Sequence, residues 1–342
     1  MTRLGLRLGV ITLAVSLTLC GLALAGGAAL PGDEFGFISS ISGRYQAYTL
    51  DARRGLLYRY STDDRLPLRF LWSPDGDQIA LTLCQPPRFC ALWLYDHRGG
   101  IVRLIKENTL VLGWSPDGAR LLVHDLVTDP APYSLTLVDD RMAALGDGDT
   151  TTTFPVWSPT SDEVAYVGYR RGSAASVLGQ IYRARPGSRA AERLTFHPGH
   201  DNDPQWSPDG TQIAFISSDQ PAPTPDLYVM DRDGNHLRRL TNLGYVYHHV
   251  WSPDGTQIAF INAVPTRPQL YLLDITDPNA RPVRLVTVVK PIAPLWSESG
   301  LYYVGVDGRL YRFEVASGLS SPVTFAPIFG VSESGRMLHL RP

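Results

Sequence analysis

The sequence predicts an all-β chain folded as a β-propeller of four-stranded antiparallel blades, and three observations carry that prediction. A Trp-Ser-Pro-Asp-Gly motif recurs at Trp72, Trp114, Trp206 and Trp251, with degenerate copies at Trp157 and Trp296, so six of the seven tryptophans belong to one repeat. Consecutive repeat tryptophans lie 42 to 49 residues apart, which is the period of a propeller blade and too long for leucine-rich or ankyrin units. The chain also combines 31 Gly and 27 Pro with 16 Tyr and 11 Phe, a mixture of turn formers and strand-favouring aromatics that suits many short strands.

In chain order, Arg3 and Arg7 precede an uncharged run from Leu8 to Leu30 that contains Ala23-Leu24-Ala25 followed by Gly26-Gly27. A basic start, an apolar stretch and a small-x-small site make residues 1–30 a signal peptide. The run also approaches the ~20 residues that cross a bilayer, so an uncleaved anchor is the alternative, with membrane contact confined to residues 8–30. Either way residues 31–342, expected to form one propeller domain, lie outside the cytoplasm: periplasmic, secreted or at the cell surface. Beyond the leader only Cys84 and Cys90 remain, flanking Pro86-Pro87. In an oxidising compartment two thiols beside a tight turn are expected to form a disulfide.

Each repeat reads as four strands. Within Ser-Pro-Asp-Gly, Pro presets φ, Asp bonds its own backbone and Gly takes the left-handed conformation, which makes a hairpin corner. An apolar strand follows (Gln212–Ile216, Gln257–Ile261), then a variable loop, a third strand (Leu227–Asp231, Leu270–Asp274), a second turn such as Asp231–Asn235 and an Arg-rich last strand, Leu237–Thr241. Asp-rich turns of this kind resemble calcium loops, but their constant place in the unit is explained by turn chemistry. At the ends, Phe329–Gly335 with Arg336–Leu340 reads as the first two strands of a unit, and Tyr45–Asp51 with Leu56–Tyr60 as the last two. Half a blade from each end lets the ring zip shut and removes open sheet edges. That predicts seven blades; a six-bladed ring with the ends packed outside it is the alternative.

For function, 31 Lys plus Arg against 33 Asp plus Glu leave no basic excess to hold nucleic acid. No G-x-S-x-G, H-E-x-x-H, Walker or Rossmann motif occurs, which removes the motif-based enzyme classes. Four of the eight histidines precede the inner strands of two successive units: His197 and His200, with Asp201 and Asp203, before Trp206, and His248 and His249 before Trp251. Imidazole and carboxylate at a channel mouth can bind a divalent metal, for which His200, Asp201 and His249 are candidates, or an acidic sugar. Packing and solvated-loop roles compete with that reading, and otherwise no cofactor is expected. In a propeller the first and third turns of each blade share one face, while the second turn and the blade-to-blade connection share the other. The variable, Pro-rich loops (Gln85–Phe89, Val127–Pro132, Arg170–Gly179 with Arg170 and Arg171, Ser218–Pro225, Ala263–Pro268) and the histidine-bearing connections therefore all fall on that second face, where recognition is expected.

These residues carry a resemblance. The Trp-Ser-Pro-Asp-Gly repeat with its Ile-Ala-Phe and Leu-Tyr-Val-Met-Asp strands resembles the WD40-like PD40 repeat of TolB-type propellers, and is related to the propellers of prolyl oligopeptidases. TolB-type proteins carry an α/β domain ahead of a six-bladed ring, whereas here a short stretch separates the leader from the first propeller strand, and oligopeptidases append a hydrolase domain. The repeat is also similar to that of oligogalacturonate lyases, whose channel histidines hold a metal. The expected role is thus a non-enzymatic, monomeric module that binds a protein or peptide. A metal-dependent uronate lyase or hydrolase and a membrane-tethered sensor ectodomain are the alternatives.

Overall fold

The computed structural model describes residues 34–39, 42, 44–51, 56–60, 64–85, 89–97, 100–127, 132–146, 150–170, 178–218, 224–264, 267–323 and 338–340. The leader 1–30, Arg171 and the Phe329–Gly335 corner with Arg336 lie outside them. Among the described residues all regular structure is β-strand, arranged as seven four-stranded antiparallel sheets in a ring. Six sheets use consecutive strands and begin at the inner strands Leu66–Trp72 (blade 2), Thr109–Trp114, Thr150–Trp157, His200–Trp206, Val246–Trp251 and Leu295–Ser297 (blade 7). Blade 1 joins the two ends of the propeller: Leu338–Leu340 pairs with Glu34–Ser39, which pairs with Gln46–Asp51, then Leu56–Arg59. The ring has seven blades, not six, and closes through its ends.

The closure differs from expectation in its division of strands, three from the N-terminal side and one from the C-terminal side rather than two and two. The second place in blade 1, assigned from sequence to Arg336–Leu340, is taken by Glu34–Ser39, and Leu338–Leu340 is the innermost strand. Phe35 and Phe37 of Glu34–Ser39 pack against Tyr302 and Val304 of blade 7. On the other side Gly36 leaves room for the Phe70 ring of blade 2, which would collide with any Cβ there. That glycine interrupts the apolar run beside the leader, which is why the segment is not read as a strand from sequence alone.

The apolar runs that follow each corner are continuous, because a blade is buried on both faces. In Ile213–Ile216, Ile213 and Phe215 enter the core shared with blade 4, while Ala214 and Ile216 enter the core shared with blade 6. The same division operates around the ring, so that seven clusters of buried residues each straddle two adjacent blades. The repeat tryptophans knit the seams: the indole N–H of Trp114, Trp206 and Trp251 donates to the carbonyl of Leu71, Val156 and Gln205 respectively, at 3.2 to 3.3 Å. Each acceptor immediately precedes the tryptophan of the preceding blade.

The corners behave as their residues dictate. Ser207 and Ser252 donate Oγ–H to Asp209 and Asp254 at 2.6 Å, and those carboxylates accept the N–H of Thr211 and Thr256 at 3.0 Å. The serine bond, with the backbone bond, holds both aspartates below the usual carboxylate range, with burial opposing. Corners of adjacent blades meet on one side of the ring, where Arg120 pairs with Asp162 at 2.7 Å and Arg232 pairs with the buried Glu163 at 2.7 Å. The variable loops and blade connections meet on the other side: the Gly179 N–H donates to His200 Nδ1 at 2.9 Å, and Asn262 donates to the Gly244 carbonyl at 2.5 Å.

Candidate functional site

On the loop-rich face the connections between blades are held by a device that recurs in blades 4 and 5. The outer strand of each ends in Arg-Leu-Thr, at Arg193–Thr195 and Arg239–Thr241. Thr195 and Thr241 accept the N–H of Ile181 and Leu227 through their hydroxyls at 2.9 and 3.0 Å. Both arginines bond the carbonyl of their own threonine through Nε, at 2.6 and 2.7 Å. In blade 5 the acceptor at the centre is Asp226, 1% exposed, which takes the Thr241 hydroxyl at 2.5 Å, an Arg239 N–H at 2.5 Å and the N–H of Leu243 and Gly244 at 3.0 and 3.2 Å. In blade 4 Gln180 holds the equivalent place, accepting from Arg193 at 2.9 Å and donating to the Gly199 carbonyl at 2.7 Å. These clips fix the start of the segments that bear Phe196 and Tyr245. Sequence reading sees only an Arg-rich strand here; the repeated Arg-Leu-Thr triplet is the signal that finds it.

The sequence-predicted histidines and carboxylates lie beyond these clips, and the structure divides them between two seams. His197 Nδ1 accepts the Gly199 N–H at 3.1 Å, its Nε2 lies 3.1 Å from Asp201 Oδ1, and its ring stacks against Phe215 and Tyr228 of the blade 4–5 core. Asp201 is fully buried. Asp203 occupies a bulge in the His200–Trp206 strand, with φ of 51° just before Pro204, and its Oδ2 lies 3.7 Å from His249 Nδ1 in the blade 5–6 seam. Burial, chiefly, and the neighbouring His248 push the His249 pKa down to about 3 against the pull of the Ala214 backbone, so its imidazole is neutral. Burial also lowers the His248 pKa. His200 lies against Tyr169, with its Nδ1 engaged by Gly179. Arg170 ends its strand exposed, opposite Thr150.

Among the described residues no group of three or more His, Cys, Asp or Glu, and so no grouping of His200, Asp201 and His249, is placed to hold a metal ion. His200 and Asp201 both lie on the blade 4 side, and the bulge between Asn202 and Gln205 sends Asp203 to His249 in the blade 5–6 seam instead. The two cysteines stand opposite each other across the Gln78–Gln85 and Phe89–Asp96 strands and are joined by a disulfide.

Exposed aromatics separate the two faces. Among the described residues seven are exposed: Tyr45, Tyr58, Phe89, Phe154, Phe196, Tyr245 and Tyr247. Tyr45 and Phe89 border second-turn loops, Phe196, Tyr245 and Tyr247 border blade connections, and Phe154 sits at an inner-strand bulge. Tyr58 alone belongs to an outer strand. The corner face presents none of the seven.

The family model described as the TolB beta propeller domain (PD40) matches residues 127–321, more than half of the chain. An uncharacterised protein of Agrobacterium fabrum is 29% identical over 220 residues, which cover 57% of this chain and 73% of that protein. Among solved structures, TolB from Acinetobacter baumannii superposes with a TM-score of 0.55 at 17% identity, covering 97% of this chain and 71% of that one. An oligogalacturonate lyase from Vibrio parahaemolyticus superposes with a TM-score of 0.63 at 11% identity over 90% of both chains. Likenesses at such identities speak to fold.

Proposed function

The chain belongs to the TolB beta propeller domain family, and from that premise we propose that it is an extracytoplasmic, non-enzymatic module that binds a protein or peptide through its loop-rich face. The observation that carries the reading is the asymmetry of exposed aromatics, five of which border loops or connections on that face. Large, stiff, amphipathic rings give contact area at little entropic cost and dominate binding hot spots. The corner face, by contrast, is spent on ion pairs between blades. Of the histidines that motivate a lyase reading, His197 and His200 each accept a backbone N–H through Nδ1, and His249 is buried in the blade 5–6 seam. Export follows from the leader read in sequence and suits the Cys84–Cys90 disulfide.

The test is capture of partners from envelope extracts, followed by titration of the purified partner. The Phe196→Ala/Tyr247→Ala double variant is expected to bind at least tenfold more weakly, with Val138→Ser on the corner face unchanged. Equal binding by the double variant, or loss in Val138→Ser, overturns the reading. N-terminal sequencing of the mature protein separates a cleaved leader from a tethered sensor.

A further inference from the structure

The inner strands of blades 2 to 6 share one irregularity. Each carries a single extra residue relative to its neighbour in the sheet, a bulge that falls at or beside Leu68, Leu112, Phe154, Asp203 and Tyr247. A bulge interrupts the ladder and re-aims a side chain. Both faces of an inner strand are covered by the adjacent blades, so the solvent that reaches a residue within it is that of the central channel. Leu68 is 44% and Phe154 41% exposed there, and Leu112 on the strand between them is half-buried. The inner strands of blades 2, 3 and 4 touch one another in turn. Their three bulge residues therefore make an apolar stretch of channel wall on successive blades.

Arg69 stands next to Leu68 in the same strand. Its partner across the sheet is Thr82, whose hydroxyl accepts the N–H of Val111 in the inner strand of blade 3 at 3.0 Å. Paired residues share a sheet face, so Arg69 emerges on the blade 3 side, toward the strand that bears Leu112. The residue is half-buried, and among the described residues it makes neither a hydrogen bond nor an ion pair. Burial draws its pKa below the ordinary arginine value and no carboxylate counters the pull. At Arg183, by contrast, burial is outweighed by Glu192, Asp233 and Glu163. A guanidinium stays charged throughout the physiological range. Holding it partly out of water with no anion beside it costs free energy, and a carboxylate taken on its N–H fork offsets that cost.

We propose that this stretch of the channel binds an aliphatic monocarboxylate of the fatty-acid class, with the carboxylate on Arg69 and the hydrocarbon chain against Leu68, Leu112 and Phe154. The wall selects the remainder of the molecule. A hydroxylated acid leaves its hydroxyls unpaired against leucine and phenylalanine side chains, which weakens binding. An alkyl chain has no such groups and gains by leaving water. The site uses the channel wall of blades 2 to 4 rather than the loops, so it goes beyond the proposed peptide-binding role and does not depend on it.

Calorimetric titration of the full-length protein with hexanoate, octanoate and decanoate, all below their micelle concentrations, tests the proposal. The wild type is expected to bind each saturably, with affinity rising about threefold per added CH₂. The uncharged 1-decanol and the hydroxylated glucuronate are expected to bind at least about tenfold more weakly than decanoate. Arg69→Gln is expected to lose decanoate by a similar factor while its unfolding temperature without ligand stays at or above that of the wild type, because the substitution removes an unpaired cation. That combination separates loss of the site from loss of the fold. Leu68→Ser/Phe154→Ser is expected to flatten the dependence on chain length. Absence of saturable binding, equal binding of 1-decanol or glucuronate, undiminished binding by Arg69→Gln, or an unchanged chain-length dependence in Leu68→Ser/Phe154→Ser overturns the proposal. A marked fall in the unfolding temperature of Arg69→Gln assigns that side chain a structural role and overturns it as well.

Discussion

At the scale of single residues, His249 is the buried titratable group with a defined consequence. An imidazole in the unfolded chain takes a proton near pH 6.5, whereas the folded one does so only at about pH 3. Between those values the unfolded state holds the additional proton, so stability is complete above about pH 6.5 and falls as the pH is lowered through the window. By pH 5 the loss is about 2 kcal/mol. Urea unfolding at pH 7 and pH 5 checks this: His249→Phe is expected to lose less stability over that interval than wild type by about that amount, and an identical loss in both contradicts it. The presence of imidazoles and carboxylates at two successive blade entries is legible in the sequence. Their partition is not, because the bulge at Asp203 and the alternation of strand faces decide which seam each side chain enters, and neither is written in residue spacing.

Among the elements, the corner is the part most fully legible. Trp-Ser-Pro-Asp-Gly specifies its own hydrogen bonds, and each copy reproduces them. The third turn is equally local in its chemistry but differs in its surroundings. Gly234 and Gly255 both have positive φ, 80° and 72°. A Cβ on Gly234 would come within 2.8 Å of the Leu194 carbonyl oxygen of the neighbouring blade, whereas one on Gly255 meets only Pro208 Cδ at 3.5 Å. Gly255→Ala is expected to cost about 1 kcal/mol for its backbone conformation alone. Gly234→Ala adds displacement of a backbone in the seam and is expected to cost about 2 kcal/mol or more. Equal shifts in denaturant midpoint for the two variants would show that the seam yields freely. Glu34–Ser39 is the element that sequence reading misses, since its glycine is explained only by the Phe70 ring of another blade.

For the molecule as a whole, the period of the tryptophans makes the ring and its blade number readable, while the division of strands at the closure depends on pairing between residues some three hundred positions apart. Contacts of that separation leave no local signature. Removing the chain from residue 338 onward is expected to uncover the edge of Glu34–Ser39, lower the unfolding temperature by about 5 °C or more and promote self-association, because an unpaired strand edge recruits another. Calorimetry and light scattering read both effects, and an unchanged transition would show that the ring holds without its clasp.

The three-and-one division at that clasp also sets an order of events. A polypeptide delivered N-terminus first presents Glu34–Ser39 early, yet its partner Leu338–Leu340 arrives last. During that interval the first sheet is incomplete, so vectorial delivery exposes a sticky border for as long as the remainder of the chain takes to emerge. A holding chaperone in the receiving compartment would find its target there, on the border that the finished ring conceals.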